Sequence, residues 1–331
     1  MPADPDQGAS ILRKGKTTMI RRIVVILLIT AALSACATPA GPALIQAPPS
    51  SAAASSTKTI VVTYSVLGSI VKDLVGDKAN VVVSMPNGQD PHEWEPSAKD
   101  IEVIMKADLI VQNGLGLEGG MEKTLQQAHD AGVRFFTASE HITVRKVGEG
   151  EGLPSGDPDQ AVGAEDPHLW MDPVDMKAVV EALAAQIKTD LGIDLSDRAK
   201  DLEGRLDALN QEVSDKVKSL ADANRKLVTG HESMGYFAQR FGFKLVGAII
   251  PSITTQAEVS ASDLAALKKL IQDNQVKAIF TELGTPPAVA EAIGQETGVK
   301  VVELTTHSLP ADGSYFTFLR NIAQVIVDGL K

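Results

Sequence analysis

The sequence predicts an α/β fold of two lobes, each a sheet of parallel type flanked by helices, joined by one long rigid helix. Its 331 residues, 44% of them hydrophobic, exceed what one compact core usually organises. Short apolar runs alternate with segments whose apolar residues recur every three or four positions, which is typical of parallel strands with crossover helices. A longer segment with the same helical spacing, 196–221, separates two such arrays.

The first array, 59–195, contains four predicted strands followed or preceded by helical segments. The strands are 60–64, 81–83, 109–111 and 133–137, and the helices lie at 66–75, 101–107, 121–131 and 174–191. Gly76 ends the first helix, because glycine adopts the backbone conformation that closes a helix at little cost. The loops at the carboxyl ends of such strands are expected to form the site.

The segment 196–221 is predicted to be the linking helix. It has one apolar stripe, formed by Ala199, Leu202, Leu206, Leu209, Val213, Val217 and Leu220. A helix of about 25 residues, rising about 1.5 Å per residue, can span a small domain and join two lobes. A coiled coil is the weaker alternative, since the stripe ends after barely three heptads.

The second array, 222–331, repeats the plan of the first without close sequence repetition. Its predicted strands are 226–229, 245–250, 278–282 and 299–304, and its helices include 261–274, 286–297 and 315–330. Tyr236 and Phe237 belong to a further helix that packs behind the first of these strands.

Residues 1–35 are predicted to be a signal peptide, with Met19 as the true start. Arg21 and Arg22 precede an apolar run of roughly 11 residues, far short of the ~20 that cross a bilayer. The run ends in Leu33-Ser34-Ala35-Cys36, which resembles a bacterial lipobox; the alternative is an ordinary signal peptide beside an incidental cysteine.

Cys36 is the single cysteine of the chain and the predicted lipid-attachment site. One thiol allows no internal disulfide. Residues 36–58, rich in Ala, Pro, Ser and Thr, are expected to form a flexible tether. The protein is therefore predicted to be exported and anchored by lipid to the outer face of the cytoplasmic membrane, in the periplasm or at the cell surface.

The charge of the mature chain excludes nucleic acid as a partner. A chain that starts at Cys36 has 26 basic and 40 acidic side chains, a net charge of −14. Such a surface repels polyanions and mildly favours cations.

Two Asp-Pro-His motifs are the strongest local signals. They lie in Asp90-Pro91-His92-Glu93-Trp94-Glu95-Pro96 and in Asp166-Pro167-His168-Leu169-Trp170-Met171-Asp172-Pro173. In each motif, proline fixes φ and favours an extended predecessor, so the histidine projects from a stiff loop. A stiff loop suits a metal ligand, and we take His92 and His168 as the first two candidates.

Two further histidines, His231 and His307, follow predicted strands on the other side of the linking helix. For any one of these four histidines taken alone, a structural role is the safer interpretation. Their shared placement predicts that all four converge on one cleft between the lobes and bind a metal ion.

The chain resembles the solute-binding lipoproteins of bacterial zinc and manganese ABC importers. The likeness runs from about Ile60 to the end, through the two Asp-Pro-His motifs, Thr229-Gly230-His231-Glu232-Ser233-Met234-Gly235-Tyr236-Phe237 and Ile279-Phe280-Thr281-Glu282. The resemblance implies two α/β lobes bridged by a rigid helix, with metal held between them. It also implies delivery to an ABC permease and its ATPase; we expect a monomer.

The resemblance also assigns ligands. It implies His92 and His168 as the first two ligands, and His231 as a third that is histidine in zinc-type members and glutamate in manganese-type members. The family's fourth ligand is usually aspartate in a Thr-Asp-Ser context, where this chain has Thr306-His307-Ser308. Two alternatives follow: a site of four histidines, or one completed by Glu282 or water.

Four nitrogen donors favour zinc, whereas manganese prefers more oxygen. Copper and nickel also accept such a site, so the donors do not make zinc exclusive. Each imidazole is expected to donate its second N–H to a carboxylate or carbonyl. Candidates for this role are Glu93, Glu232, Glu282 and Glu303.

The sequence predicts a receptor for zinc that is not an enzyme. The alternatives are a manganese or iron receptor of the same family, a zinc hydrolase, and an adhesin with the same fold. A hydrolase needs an open metal position beside a base, but the chain has no His-Glu-x-x-His helix and no nucleophile motif.

Overall fold

Four short, mostly β-branched and aromatic runs form the N-terminal sheet. The computed structural model describes residues 57–151 and 161–331; the predicted signal peptide and Cys36 lie outside them. The strands are β1 (Thr59–Val62), β2 (Asn80–Val83), β3 (Leu109–Gln112) and β4 (Phe135–Thr137). All pairs are parallel, in the order β2-β1-β3-β4.

Helices cover the faces of this sheet, as a parallel sheet requires. They are α1 (Ser65–Val75), α2 (Ala98–Met105), α3 (Glu122–Asp130) and α4 (Pro173–Leu191). Ser97 and Asp100 form a capping box at the start of α2. Asp172 caps α4, and Pro173 occupies its first turn, where no N–H is needed.

The C-terminal sheet repeats the order of the first. Its strands are β5 (Lys226–Thr229), β6 (Lys244–Ala248), β7 (Ala278–Thr281) and β8 (Lys300–Glu303), arranged β6-β5-β7-β8 with parallel pairing. The helices are α6 (Gly235–Phe241), α7 (Ala261–Asp273), α8 (Pro287–Thr297) and α9 (Tyr315–Leu330). The predicted α/β fold of two lobes with parallel sheets is therefore confirmed.

Helix α5, Ser196–Val217, lies in sequence between the two sheets. Its apolar stripe is buried, and the helix contacts α1 and α4 on one side of the chain and α6 and α9 on the other. It ends four residues before the predicted boundary, because Lys218 and Ser219 turn back onto the last helical carbonyls.

One apolar cluster runs through both lobes and contains Leu67, Leu183, Leu206, Phe237 and Leu319. Residues Ser55–Lys331 form one compact unit. No helix in the part of the chain that the structure describes is both long and apolar enough to cross a membrane.

The strand order places the crevice of each lobe at the carboxyl ends of its central strands. In open parallel sheets, ligands bind where neighbouring strands send their connections in opposite directions. In the C-terminal lobe, these strands are β5 and β7, which are followed by His231 and Glu282. The fold thus brings two of the predicted site residues to one crevice.

Candidate metal centre

Four buried imidazoles meet between the two lobes. His92, His168, His231 and His307 each offer one ring nitrogen, and these four atoms lie within 4.8 Å of one another. The six distances between ring centroids range from 5.1 to 6.0 Å. None of the four side chains is more than 4% exposed. In the described residues, this is the one group of three or more potential ligands that could hold a metal ion.

His92 lies on the loop that follows β2. Its backbone N–H donates to Oδ1 of Asp90 at 2.9 Å, which closes the Asp-Pro-His turn. Its carbonyl accepts a hydrogen bond from Nε2 of Gln256, a residue of the C-terminal lobe, at 2.9 Å. No hydrogen bond links Nδ1 of His92 to another described residue. The turn therefore positions this ligand through its backbone.

His168 is held through its side chain. Its Nδ1 lies 2.9 Å from Oδ1 of Asp166, and the same oxygen accepts the backbone N–H of His168 at 3.0 Å. The other carboxylate oxygen of Asp166 accepts from Arg145 at 3.0 Å. Burial raises the pKa of Asp166, but His168 and Arg145 more than offset this effect, so the carboxyl pKa is lowered. Asp166 is therefore an anionic acceptor that orients the imidazole.

Arg145 connects this pair to two other parts of the protein. Its guanidinium also contacts Glu151, and its backbone N–H donates to the hydroxyl of Tyr236 at 3.0 Å. Gly235 lies directly against the pair, because a Cβ at this position would be 2.1 Å from Oδ2 of Asp166. The start of α6 thus depends on glycine to approach the group that holds His168.

His231 follows β5 and rests on Glu282. The backbone N–H of His231 donates to Oε1 of Glu282 at 3.0 Å, and Nδ1 lies 3.0 Å from the same oxygen, a charge contact rather than an aligned hydrogen bond. Ser233 donates to both carboxylate oxygens, at 3.0 and 2.8 Å. Burial raises the pKa of Glu282, but His231 and other donors dominate and lower it to about 2.

His307 is held through Thr306. Nδ1 of His307 lies 2.8 Å from Oγ1 of Thr306, and that hydroxyl in turn donates to Oε2 of Glu282. Because Thr306 gives its proton to the carboxylate, its oxygen is available to accept the Nδ1–H of His307. Glu282 therefore orients His231 directly and His307 through one hydroxyl.

These contacts favour the same tautomer in three of the ligands. With Nδ1 protonated in His168, His231 and His307, each Nε2 presents a lone pair. The Nε2 atoms of His168 and His231 lie 3.1 Å apart. Donors at 2.0 to 2.1 Å from a tetrahedral zinc ion are separated by about 3.3 Å, so this edge of the cage has the size that zinc requires.

The other two imidazoles each contribute a buried ring nitrogen that no hydrogen bond within the described residues satisfies. The Nε2 atoms of His92 and His307 are buried and have no hydrogen-bond partner among the described residues. Buried polar atoms are normally paired, and a bound cation would satisfy both lone pairs. The four residues therefore fit a metal ion bound by nitrogen.

Burial also keeps most of the four imidazoles uncharged. It lowers the pKa of His92, His168 and His307, and the neighbouring imidazoles lower each of them further. Burial acts in the same direction on His231, but the Glu282 carboxylate outweighs it and leaves that pKa raised. Neutral imidazole is the form that binds metal, so three ligands are prepared for binding and His231 competes with a proton.

The structure corrects part of the predicted support of the cage. Glu93 and Glu303 are exposed, and neither is hydrogen-bonded to an imidazole in the described part of the chain. Both side chains face solvent, since Glu93 follows the Asp-Pro-His turn and Glu303 ends an edge strand. Glu232 is buried beside His231, and burial raises its pKa to about 7, but its Oε1 has no hydrogen-bond partner.

Glu282, predicted both as a possible fourth ligand and as a possible acceptor for an imidazole N–H, contacts His231 directly and His307 through Thr306. The residues that hold imidazoles were not all assigned from the sequence: Asp166 stands within its motif and Thr306 precedes His307, but neither was given this role. Their positions in the sequence, close to candidate ligands, were the signal from which this role could have been predicted. Arg145 gave no such signal, because it lies 21 residues before Asp166 in an acidic loop region.

Comparison with known proteins supports a common family. A family model described as zinc-uptake complex component A, periplasmic, matches residues 60–329. The manganese ABC transporter substrate-binding lipoprotein PsaA of Streptococcus anginosus is 26% identical over 288 residues, which cover 82% of this chain and 89% of that protein. The high-affinity zinc uptake system protein ZnuA of Bacillus subtilis is 30% identical over 254 residues, covering 75% and 77%.

A solved structure extends the match to three dimensions. The periplasmic zinc-binding protein TroA of Treponema pallidum is 27% identical, with a TM-score of 0.69, and the match covers 83% of this chain and 99% of that one. The resemblance seen in the sequence motifs is thereby confirmed. The chain belongs to the zinc-uptake complex component A family, a family of metal-binding receptors of ABC importers and not of enzymes.

Proposed function

We propose that this protein captures zinc outside the cytoplasm and delivers it to an ABC permease driven by its ATPase. The observation that supports zinc is the donor set: four buried imidazoles that converge from both lobes, His92, His168, His231 and His307. Imidazole nitrogen in a tetrahedral arrangement suits zinc, whereas manganese favours more oxygen donors and higher coordination.

Two of the nearby carboxylates, Glu282 and Asp166, are engaged elsewhere, which supports the assignment. Both oxygens of Glu282 accept hydrogen bonds, and both oxygens of Asp166 are taken by His168 and Arg145. Neither carboxylate is available as a ligand unless these bonds break. The named relatives divide between zinc and manganese, so the donors of this chain provide the argument for zinc.

The location of the protein in the cell is part of the proposal. A signal peptide over residues 1–35, a lipid on Cys36 and a tether over residues 36–58 would hold the receptor at the outer face of the membrane. The lobes, 59–195 and 222–331, would act as a monomer connected by the segment 196–221. One of the named relatives, PsaA of Streptococcus anginosus, is described as a lipoprotein, which supports this arrangement.

The experiment that tests zinc binding uses the purified full chain in mild detergent. Metal content is measured after loading with equimolar zinc and manganese, and affinity is measured by competition with a chelating dye. We expect zinc to be retained in preference to manganese. His307→Ala should weaken zinc binding at least tenfold, because it removes one of four donors.

His307→Asp separates the choice of metal from the existence of the site. An oxygen donor at this position should raise manganese affinity relative to zinc by about tenfold, following the donor preferences of the two ions. Preferential retention of manganese by the unaltered chain would contradict the proposal. Unchanged zinc affinity in His307→Ala would show that His307 is not a ligand.

A further inference from the structure

Two of the four candidate ligands, His231 and His307, share one buried hydrogen-bonded network, and the segment that carries His168 joins it through Trp170. The indole N–H of Trp170, two residues after His168, donates to the carbonyl of Thr306 at 3.0 Å. The hydroxyl of Thr306 contacts both His307 and Glu282, and Glu282 holds His231. This network crosses between the lobes.

The groups of this network are shielded from water. Trp170, His168 and His231 are fully buried, and Thr306 is 1% exposed. Removing a partner from such a network leaves a buried polar group unsatisfied, at a cost of about 1 to 3 kcal/mol. His168, His231 and His307 are therefore each held by buried hydrogen bonds, His168 through Asp166 and the other two through Glu282 and Thr306.

His92 is attached differently. In the described residues, its imidazole has no acceptor for Nδ1, and the loop that carries it, 86–93, is fastened to the C-terminal lobe by two exposed side chains. Gln256 donates to the carbonyl of His92 at 2.9 Å. Asn87 donates to the carbonyl of Leu309 at 2.9 Å and accepts the N–H of Leu309 at 2.7 Å.

The other side of this loop meets a surface without side chains. A Cβ at Gly119 would lie 3.0 Å from the carbonyl oxygen of His92, and one at Gly120 would lie 2.3 Å from that of Trp94. The loop thus packs directly against the backbone of these two glycines. Met85 before it and Trp94 after it pack against the apolar core, so the segment between them can move while its ends stay fixed.

We propose that His92 is the exchange ligand of the site, and that Asn87 and Gln256 are positioning residues that hold it closed. Zinc enters and leaves when the 86–93 loop lifts, while the other three histidines remain assembled. This inference rests on the proposed function and adds to it the route of metal exchange. The hydrogen bonds that must break are exposed at Asn87 and partly buried at Gln256, whereas those that orient the other imidazoles are buried.

The test measures zinc kinetics on the purified full chain in detergent. Zinc release into excess chelator is followed by stopped flow, and association is followed with zinc sulfate. Asn87→Ala and Gln256→Ala should each accelerate release about threefold, and the double variant about tenfold, as expected for losing these hydrogen bonds. Zinc association should accelerate as well, because zinc would enter and leave through the same opening of the loop.

A static role would give a different signature. If these side chains only stabilised the bound geometry, affinity would fall by the full factor of the release rate while association stayed constant. Gln324→Ala is the matched control: this glutamine on α9 exchanges exposed hydrogen bonds with Lys216 and Asp328, far from the His92 loop in the described contacts. Its rates should equal those of the unaltered chain.

The outcomes separate this inference from the function on which it rests. Failure of the unaltered chain to bind zinc would overturn the proposed function. Tight zinc binding with unchanged release from the double variant would overturn only the exchange route. Faster release without faster association, or equal acceleration in Gln324→Ala, would also overturn it.

Discussion

Glu282 is the residue on which most of the site depends. It is buried, stays ionised because its pKa is lowered to about 2, and contacts two of the four candidate ligands directly or through Thr306. A carboxylate behind a metal-binding histidine fixes the tautomer and strengthens the nitrogen donor. The sequence analysis predicted Glu282 near the site, either as a ligand or as an acceptor that orients an imidazole.

Glu282→Gln tests this supporting role. The amide retains the shape but removes the charge that balances His231, so zinc affinity should fall about 10- to 100-fold. Competition with a chelating dye measures the change. Glu291→Gln, an exposed substitution on α8, should leave affinity unchanged. An affinity for zinc within twofold of the unaltered chain would show that Glu282 does not support the ligands.

The pH dependence of zinc binding should report a single imidazole. Burial holds the pKa of His92, His168 and His307 below the ordinary value of about 6.5. These three rings are neutral near pH 7. The pKa of His231 is left raised by Glu282, so this imidazole is the one at which a metal ion competes most with a proton.

Zinc affinity should therefore weaken as pH falls through the raised pKa of His231, about tenfold per pH unit, as for the loss of one proton. Calorimetric titrations from pH 7.5 to 5.5 measure the slope. In Glu282→Gln the decline should begin at lower pH, because the charge that most opposes the effect of burial on His231 is then absent, and only the smaller effects of Asp90 and Glu232 remain. A flat profile would contradict the histidine cage, and a slope of three protons would contradict the lowered pKa values.

At the scale of elements, short helices and loops position the site because glycine allows them to approach closely. Helix α6 begins at Gly235, directly against Asp166 and Arg145, and Tyr236 on the same helix accepts the backbone N–H of Arg145. Helix α6 of the C-terminal lobe thus rests on the carboxylate that orients His168 in the N-terminal lobe. The two lobes are fitted to each other at this point.

Gly235→Ala should therefore disturb the site without touching a ligand. The new Cβ would lie 2.1 Å from Oδ2 of Asp166 and 2.4 Å from a guanidinium nitrogen of Arg145. Overpacking of this kind costs about 1 to 3 kcal/mol of stability, and zinc affinity should fall at least tenfold. Thermal unfolding and dye competition measure the two effects.

Gly204→Ala is the control for this substitution. Gly204 lies within α5, where an added Cβ meets nothing within 4 Å, so alanine should raise stability by about 0.5 to 1 kcal/mol and leave zinc binding unchanged. Equal losses in both variants would indicate a general effect of replacing glycine. Unaltered zinc affinity in Gly235→Ala would remove the coupling between α6 and His168.

At the scale of the whole molecule, the two lobes share one apolar cluster as well as the candidate metal site. The apolar cluster that includes Leu67, Leu206 and Leu319 extends through both. The buried bond from Trp170 to Thr306 crosses between them, as do the exposed bond of Asn87 and the partly buried bond of Gln256. We expect the lobes to unfold together and zinc to stabilise both.

Scanning calorimetry of the full chain tests this expectation. Free zinc at about 1,000 times its Kd should add about 4 kcal/mol to the free energy of unfolding. For a protein of this size, that raises Tm by roughly 10 °C. The described part of the chain should give one transition, with a smaller zinc-induced shift in His307→Ala. Two transitions, of which only one responds to zinc, would contradict a jointly stabilised pair of lobes.

The sequence by itself determined the alternation of strands and helices and the positions of the four histidines at strand ends or Asp-Pro turns. These features follow from local rules: the period of apolar residues, the rigidity of proline and the edge at which parallel strands end. The family resemblance was also visible in the sequence, because each motif that carries it is a contiguous stretch of residues.

Only the tertiary structure decided what holds each imidazole. Glu282 lies 51 residues from His231, and Trp170 lies 136 residues from Thr306; such pairings depend on the packing of the lobes and on side-chain direction, which local patterns do not contain. For the same reason, the sequence selected the exposed Glu93 and Glu303 as supports and gave no sign that His92 is fastened by Asn87 and Gln256. Spacing predicted the candidate ligands, and packing distinguished His92, which is fastened through its backbone, from the three whose imidazoles contact buried side chains.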